Sequence, residues 1–158
     1  MARVTSKGVT VELRSCRGPD LDAATLYALL RLRVEVFVVE QACPYRELDG
    51  RDLTSRTRHF WLTGPGEEIL STLRLTEDDD PGRSGFRISR VCTAVDGRHR
   101  GHGGRLLRAA LDDVGEQPCR LNAQTYLTGM YARHGFAVDG EEFLDDGIPH
   151  VPMLRARP

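Results

Sequence analysis

The run Arg98-His99-Arg100-Gly101-His102-Gly103-Gly104-Arg105-Leu106-Leu107 constrains the fold of this chain more than any other stretch. Its first eight residues hold three glycines and three arginines, and they lead straight into a helical pattern with Leu107, Ala110, Leu111 and Val114 on one face. Glycine lets a backbone approach an oxyanion closely. The first N–H groups of a helix have no intrahelical acceptor and lie at the positive end of its dipole. A glycine-rich turn opening a helix is therefore a cradle for phosphate. The strand expected before it is Phe86–Thr93, which carries Ile88 and Val91.

Two familiar phosphate loops do not fit. A dinucleotide fingerprint needs a third small residue where Leu106 stands, and an acidic residue ending the next strand. The acidic candidates, Asp112 and Glu116, fall within or just beyond the helix instead. A P-loop needs Gly-Lys-Ser/Thr, which is absent.

At 158 residues the chain is expected to form one domain, residues 1–158, and is long enough to bury a core. An apolar content of 40% and a charged content of 28% read as soluble and globular. The net charge is −1. No overall field therefore favours nucleic acid or an anionic membrane, and neither is expected as a partner. No run approaches ~18 apolar residues and no signal stretch opens the chain, so a cytoplasmic location is expected. Cys16, Cys43, Cys92 and Cys119 are widely spaced and read as free thiols in a reducing compartment. Neither they nor the five histidines show ligand spacing, so no metal is expected.

Along the chain, Val9–Arg14 reads as a strand. From Asp20 a helix is expected with Leu26, Leu30, Val34 and Phe37 on its apolar face, capped by Asp20 or Asp22. Val34–Val39 fits a helix end or a strand. Gln41–Thr57 is a polar loop, and His59–Thr63 with Ile69–Thr76 forms a hairpin across Gly64-Pro65-Gly66. Glu77–Pro81 reads as an exposed acidic tip. After the glycine loop, the helix stops at Gly115. A strand over Cys119–Thr125, a short helix over Thr128–His134, a strand over Phe136–Leu144 and a last strand over His150–Leu154 complete the reading. The order β-α-β-β-β-α-β-α-β-β is mixed α/β (α+β).

The hexapeptide Arg98-x-x-Gly101-x-Gly103 resembles the Arg/Gln-x-x-Gly-x-Gly/Ala signature of the GNAT acetyltransferases. A second stretch, Gln124-x-x-Leu127-x-x-Met130-Tyr131-x-x-x-Gly135-Phe136, is similar to that family's Asn-x-x-Ala-x-x-Leu-Tyr-x-x-x-Gly-Phe segment, with Gln124 and Leu127 departing from it. Three further pieces resemble the ElaA-type branch of the family: Val36 to Tyr45, Asp49 to Asp52 with His59, and Asp145 to Met153. The resemblance implies a central mixed, mostly antiparallel sheet flanked by helices. It also implies acetyl-CoA as co-substrate, a small-molecule or peptide amine as acceptor, and a monomer or homodimer.

Acetyl transfer to an amine needs a deprotonated amine, a polarised thioester, in-line placement and a destination for the thiolate. By the resemblance, the backbone at Val91, Cys92 and Thr93 pairs with the pantetheine arm, and an N–H there polarises the carbonyl. The same resemblance places the pyrophosphate on the backbone of His99, Arg100, Gly101, His102, Gly103 and Gly104, with charge from Arg98 and Arg100. Gln124 would meet the pantetheine, and Tyr131 would protonate the leaving thiolate. Glu40 is a candidate base or amine-binding group, its alternative being an anchor between helix and loop. Asp49 and Asp52 are candidates for attracting a cationic acceptor. His150 is a further acid–base candidate, whereas His59 is expected to make a structural hydrogen bond. The alternatives at this stage are transfer from another acyl-CoA, or a non-catalytic acyl-CoA-binding or regulatory module.

Overall fold

A computed structural model describes residues 3–6 and 9–157; the one lysine, Lys7, lies outside them. The strands are β1 Arg3–Ser6, β2 Val9–Arg17, β3 Thr57–Thr63, β4 Ile69–Glu77, β5 Phe86–Thr93, β6 Cys119–Gln124, β7 Ala137–Val138, β8 Phe143–Asp145 and β9 Ile148–Arg155. The helices are α1 Ala23–Val34, α2 His102–Val114 and α3 Thr128–Ala132. The strands form one sheet in the order β1-β2-β3-β4-β5-β6-β9-β7, with β8 also on β9. Neighbours are antiparallel except β5 and β6, which run parallel. The mixed α/β architecture with a mostly antiparallel sheet is thus observed. No helix among the described residues is long and apolar enough to cross a membrane.

Strand alternation sends neighbouring side chains to opposite faces. Phe60, Leu62, Leu73 and Leu75 meet Leu106, Leu107, Ala110 and Val114 of α2, which make the main core with Ile88, Leu121 and Met153. On the opposite face lie His59 and Arg74, tied to α1 through Asp52 and Arg33. A smaller apolar cluster, Leu32, Val36 and Cys92, seals α1 there.

Several local expectations are corrected. Asp22 caps α1, accepting from the Thr25 N–H at 2.7 Å, but the buried stripe is Leu29, Leu32, Arg33 and Val36 rather than Leu26, Leu30, Val34 and Phe37. The face is displaced because an arginine belongs to it. Glu35–Glu40 continues as π-helix, which resolves the ambiguity over Val34–Val39. Strand β2 runs on to Arg17, and β1 precedes it. The single strand expected over Phe136–Leu144 is two short ones: Asp139 N–H bonds the Pro152 carbonyl at 2.8 Å, and Gly140 packs where a Cβ would lie 2.6 Å from Pro152 Cγ. The acidic tip is not all exposed, since the Asp78 carboxylate is buried against Arg120 at 3.3 Å.

The loop between α1 and β3 holds the largest departure from expectation. Glu47, Asp52, Arg33 and Arg74 are all buried. Arg33 Nε meets Glu47 Oε1 at 2.5 Å and its Nη1 meets Asp52 Oδ1 at 2.6 Å. Arg74 reaches Asp49 at 2.7 Å and Asp52 at 3.1 Å. Arg90 Nε lies 2.8 Å from Glu47 Oε2, and the Tyr45 hydroxyl donates to that oxygen as well. His59 Nε2 meets the Asp52 carbonyl at 2.8 Å, the structural bond expected of it. Asp49 and Asp52 are therefore committed to arginines and do not face an acceptor. Burial alone would raise both carboxyls, but hydrogen bonds and charge, from Arg74 at Asp49 and from Arg33 and Arg74 at Asp52, hold them below the ordinary carboxylate range.

Two outcomes are expected. Arg33→Met takes one of two cationic partners from both Glu47 and Asp52 in a buried network and lowers stability by about 3–5 kcal/mol in urea unfolding. Because the folded-state pKa values of Asp49 and Asp52 are depressed, the stability they add is present above the unfolded carboxylate value of about 3.9 and is lost as pH falls below it. Thermal midpoints measured from pH 7 down to pH 3 will fall, and will fall less steeply in Asp49→Asn, which has no proton to take up there.

Candidate active site

Strands β5 and β6 are in register only at Phe86 with Cys119 and at Arg87 with Arg120. Beyond these pairs the strands part. The cause lies in β5, where the pairing to β4 slips between Thr72 opposite Cys92 and Arg74 opposite Ser89. The extra residue forms a bulge, and Arg90 occupies it with φ of 56°. A left-handed arginine costs roughly 1–2 kcal/mol. The Glu47 and Asp49 carboxylates and the Glu47 carbonyl hold it there.

The gap opened by the bulge is a cavity of about 180 Å³. Val91 of β5 and Gln124 of β6 line it, together with Tyr131 from α3 and His150 from β9. Four of the site residues expected from sequence are thus brought together. Tyr131 is buried, with its ring edge-on to Phe136 at 6.1 Å. Among the described residues nothing hydrogen-bonds its hydroxyl. Burial pushes the phenol above its ordinary pKa, so it stays a proton donor at neutral pH.

His150 stands opposite Gln124 in the sheet register and stacks on Phe143 at 5.9 Å. Its Nδ1 lies 2.7 Å from the Ile148 carbonyl. A carbonyl only accepts, so Nδ1 carries the proton and the neutral ring has its lone pair on Nε2. Gln124 is paired through its amide with Gln41, at 3.4 and 3.5 Å, across the mouth of the gap. The Cys92 thiol is buried under α1 and pushed up to about 12 by burial.

Next to this gap lies the glycine loop. His99 and Gly101 take positive φ of 62° and 76°, which turns the chain into α2 with no side-chain cap. Among the described residues, no N–H from His99 to Gly104 bonds a backbone carbonyl; the first such bond is Arg105 N–H to Gly101. These N–H groups therefore stand free of backbone acceptors at the start of α2. His102 packs inward, where burial, then Arg100 and Arg105, lower its pKa and keep it neutral. Arg100 makes no ion pair among the described residues.

Arg98 and Glu40 are paired with each other. The Arg98 guanidinium meets both Glu40 oxygens at 2.5 Å, and its Nε donates to the Thr93 carbonyl at 3.2 Å. The hydrogen bond from Arg98 holds the Glu40 carboxyl below its ordinary pKa. A carboxylate doubly hydrogen-bonded to arginine makes a poor base, and Glu40 does not line the cavity. The pair ties the end of the π-helix to the glycine loop. Gln41, Tyr45, Arg90, Asp145 and Asp146 also line the cavity, and sequence reasoning assigned none of them a site role. Only the Asp146-Gly147 turn gave a readable local signal.

Residues 22–156 match the family model described as acetyltransferase (GNAT) domain. A UPF0039 protein of Mycobacterium tuberculosis is 64% identical over 147 residues, 93% of this chain and 94% of that one. The crystal structure of an acyl-CoA N-acyltransferase from Pseudomonas aeruginosa superposes with a TM-score of 0.83 at 40% identity, covering 92% of this chain and 99% of that one. The crystal structure of Escherichia coli ElaA superposes equally, with a TM-score of 0.83 at 34% identity over the same shares.

The cradle yields a direct test. A Cβ on Gly103 would meet only Met130 Sδ, at 3.8 Å, so the fold has room for a side chain there. Gly103→Val is expected to unfold within a few degrees of the unaltered protein, while calorimetry shows its affinity for CoA reduced by at least about tenfold. Undiminished affinity would remove the phosphate assignment.

Proposed function

Because this chain belongs to the GNAT acetyltransferase family, in its ElaA-like branch, we propose that it transfers an acetyl group from acetyl-CoA directly to a primary amine. The observation that carries this reading is the meeting, in one cavity, of an unpartnered phenol at Tyr131 and a lone pair at His150 Nε2. The two are opposite in proton demand, as an acid and a base must be.

The donor's pyrophosphate lies on the N–H groups of His99 to Gly104. Its pantetheine arm follows β5 past Val91, Cys92 and Thr93, and Gln124 leaves Gln41 to meet it. This placement leads the thioester into the gap, where a backbone N–H of β5 polarises its carbonyl. An alkyl amine arrives mostly protonated, since its pKa is near ~10.4. The ammonium first gives one proton to water, which frees the lone pair for attack. His150 Nε2 accepts a second proton from the nitrogen as the N–C bond forms. Tyr131 hydrogen-bonds the sulfur as the C–S bond breaks, and its proton passes to the departing thiolate. Since burial places the phenol above a thiol's ordinary ~8.5, the hydrogen bond supplies most of the stabilisation until the thiol leaves.

The test is release of CoA thiol over a panel of amines. Tyr131→Phe is expected to lower kcat by about 100-fold while leaving the dissociation constant for acetyl-CoA within about twofold. Unchanged turnover would remove the acid role. Tight acetyl-CoA binding with no thiol released by any amine would favour the binding-module alternative.

A further inference from the structure

Resting on the amine-transfer reading above, we propose that the acceptor is a short diamine, with one amine at His150 and Tyr131 and a second cation held by Asp145 and Asp146. Most acidic groups around the site are already paired: Glu40 with Arg98, Asp49 with Arg74, and Asp52 with Arg33. None of these carboxylates is left for a ligand. Asp145 and Asp146 line the cavity and form no ion pair among the described residues.

The arginines on the same cavity are committed elsewhere. Arg90 contacts Glu47 at 2.8 Å and Asp49 at 3.4 Å, and Arg87 lies 3.9 and 3.7 Å from Asp78 and Asp80. The uncompensated charge on the wall is therefore negative. The Tyr131 hydroxyl, unpartnered on a side chain only 5% exposed, belongs to the same cavity and awaits a polar ligand. The Cys43 thiol also lines the cavity and donates to the Asp146 carbonyl at 3.4 Å, and burial, then the Asp146 and Asp145 charges, raise its pKa.

The hairpin sets the distance between the two subsites. Phe143 pairs with His150 and Asp145 with Ile148, so a two-residue turn, Asp146-Gly147, joins β8 to β9. Both turn residues have positive φ, 49° and 80°, as a type I′ turn requires. Ile148 and His150 are two residues apart on β9 and both line the cavity. That separation is ~7 Å along the strand, the span of a butyl or pentyl chain. A cavity of about 180 Å³ suits such a chain better than a peptide segment. An α-amino acid fits poorly, because its carboxylate would enter beside the aspartates and find no uncommitted arginine.

The experiment compares 1,4-diaminobutane with n-butylamine on the full chain, by CoA release and by calorimetric binding. The diamine is expected to show a kcat/KM higher by about tenfold, carried by KM, as two partly screened ion pairs supply. The preference will shrink as salt is raised from about 0.02 to about 0.5 M, because screening shortens the reach of both carboxylates (these concentrations span a Debye length of roughly 20 to roughly 4 Å). In the Asp145→Asn/Asp146→Asn double variant the ratio of the two amines is expected to fall toward one, in turnover and in binding. Asparagine accepts positive φ and favours this turn before glycine, so the hairpin is kept. Equal turnover and equal binding of the two amines in the unaltered protein would overturn the diamine site and leave amine transfer standing. A preference that survives the double variant would overturn it too. Selective diamine binding without CoA release would instead overturn the transfer reading and leave the diamine site in place.

Discussion

The arginine–carboxylate network between α1, the following loop and the sheet is the constraint on which the rest of this structure depends. A buried ion pair is a poor source of net stability, because desolvation consumes much of the Coulomb attraction. Its effect here is positional. Arg33 lies on α1, Arg74 on β4 and Arg90 on β5, while Glu47, Asp49 and Asp52 all come from the one loop that joins α1 to β3. Each carboxylate is shared or flanked by two cations, so the loop has one arrangement in which no charge is stranded. A hydrophobic cluster of the same size would hold the loop near the sheet without choosing its register.

That choice reaches the site through Arg90. The parting of β5 from β6 requires an extra residue in β5, and a non-glycine residue in the left-handed region is unfavourable by itself. Contacts to Glu47 and Asp49 are what make an arginine acceptable there. The same Glu47 takes the Tyr45 hydroxyl, which brings the loop's aromatic ring to the cavity wall, with the Arg90 guanidinium 5.6 Å from its centre. The bulge beside the cavity and the loop that walls it are thus held by one set of ion pairs.

What could be read from sequence divides along this line. The glycine loop, the α2 face and the Gly115 stop were legible because each depends on residues within a turn or two of one another. So were the strands that flank the loop, and Tyr131 followed from a motif of fixed spacing. The network was not legible, since Asp49 and Asp52 in a polar stretch look like solvated turn residues until arginines distant in sequence are brought to them. For the same reason the α1 face was misplaced, because a periodicity argument scores Arg33 as polar. The pairing of Glu40 was hidden too, because its partner, Arg98, comes from an element 58 residues away. The break between β7 and β8 had a local cause, Pro152, but it lies on the neighbouring strand and not in the segment it interrupts.

The two halves of the site differ chemically in the same way. The proposed donor half is mostly backbone: free N–H groups at a helix start and the unpaired edge of a bulged strand. Such groups tolerate wide change in side chains so long as glycine and the bulge persist. In the proposed acceptor half, the side chains come from separate places, the loop after α1, α3 and the β8–β9 hairpin. Asp145, Asp146 and Gln41 line the cavity and lie outside the glycine loop. On the proposed reading, acceptor choice varies more freely than donor choice on this framework, and it follows from which carboxylates the arginines leave unpaired.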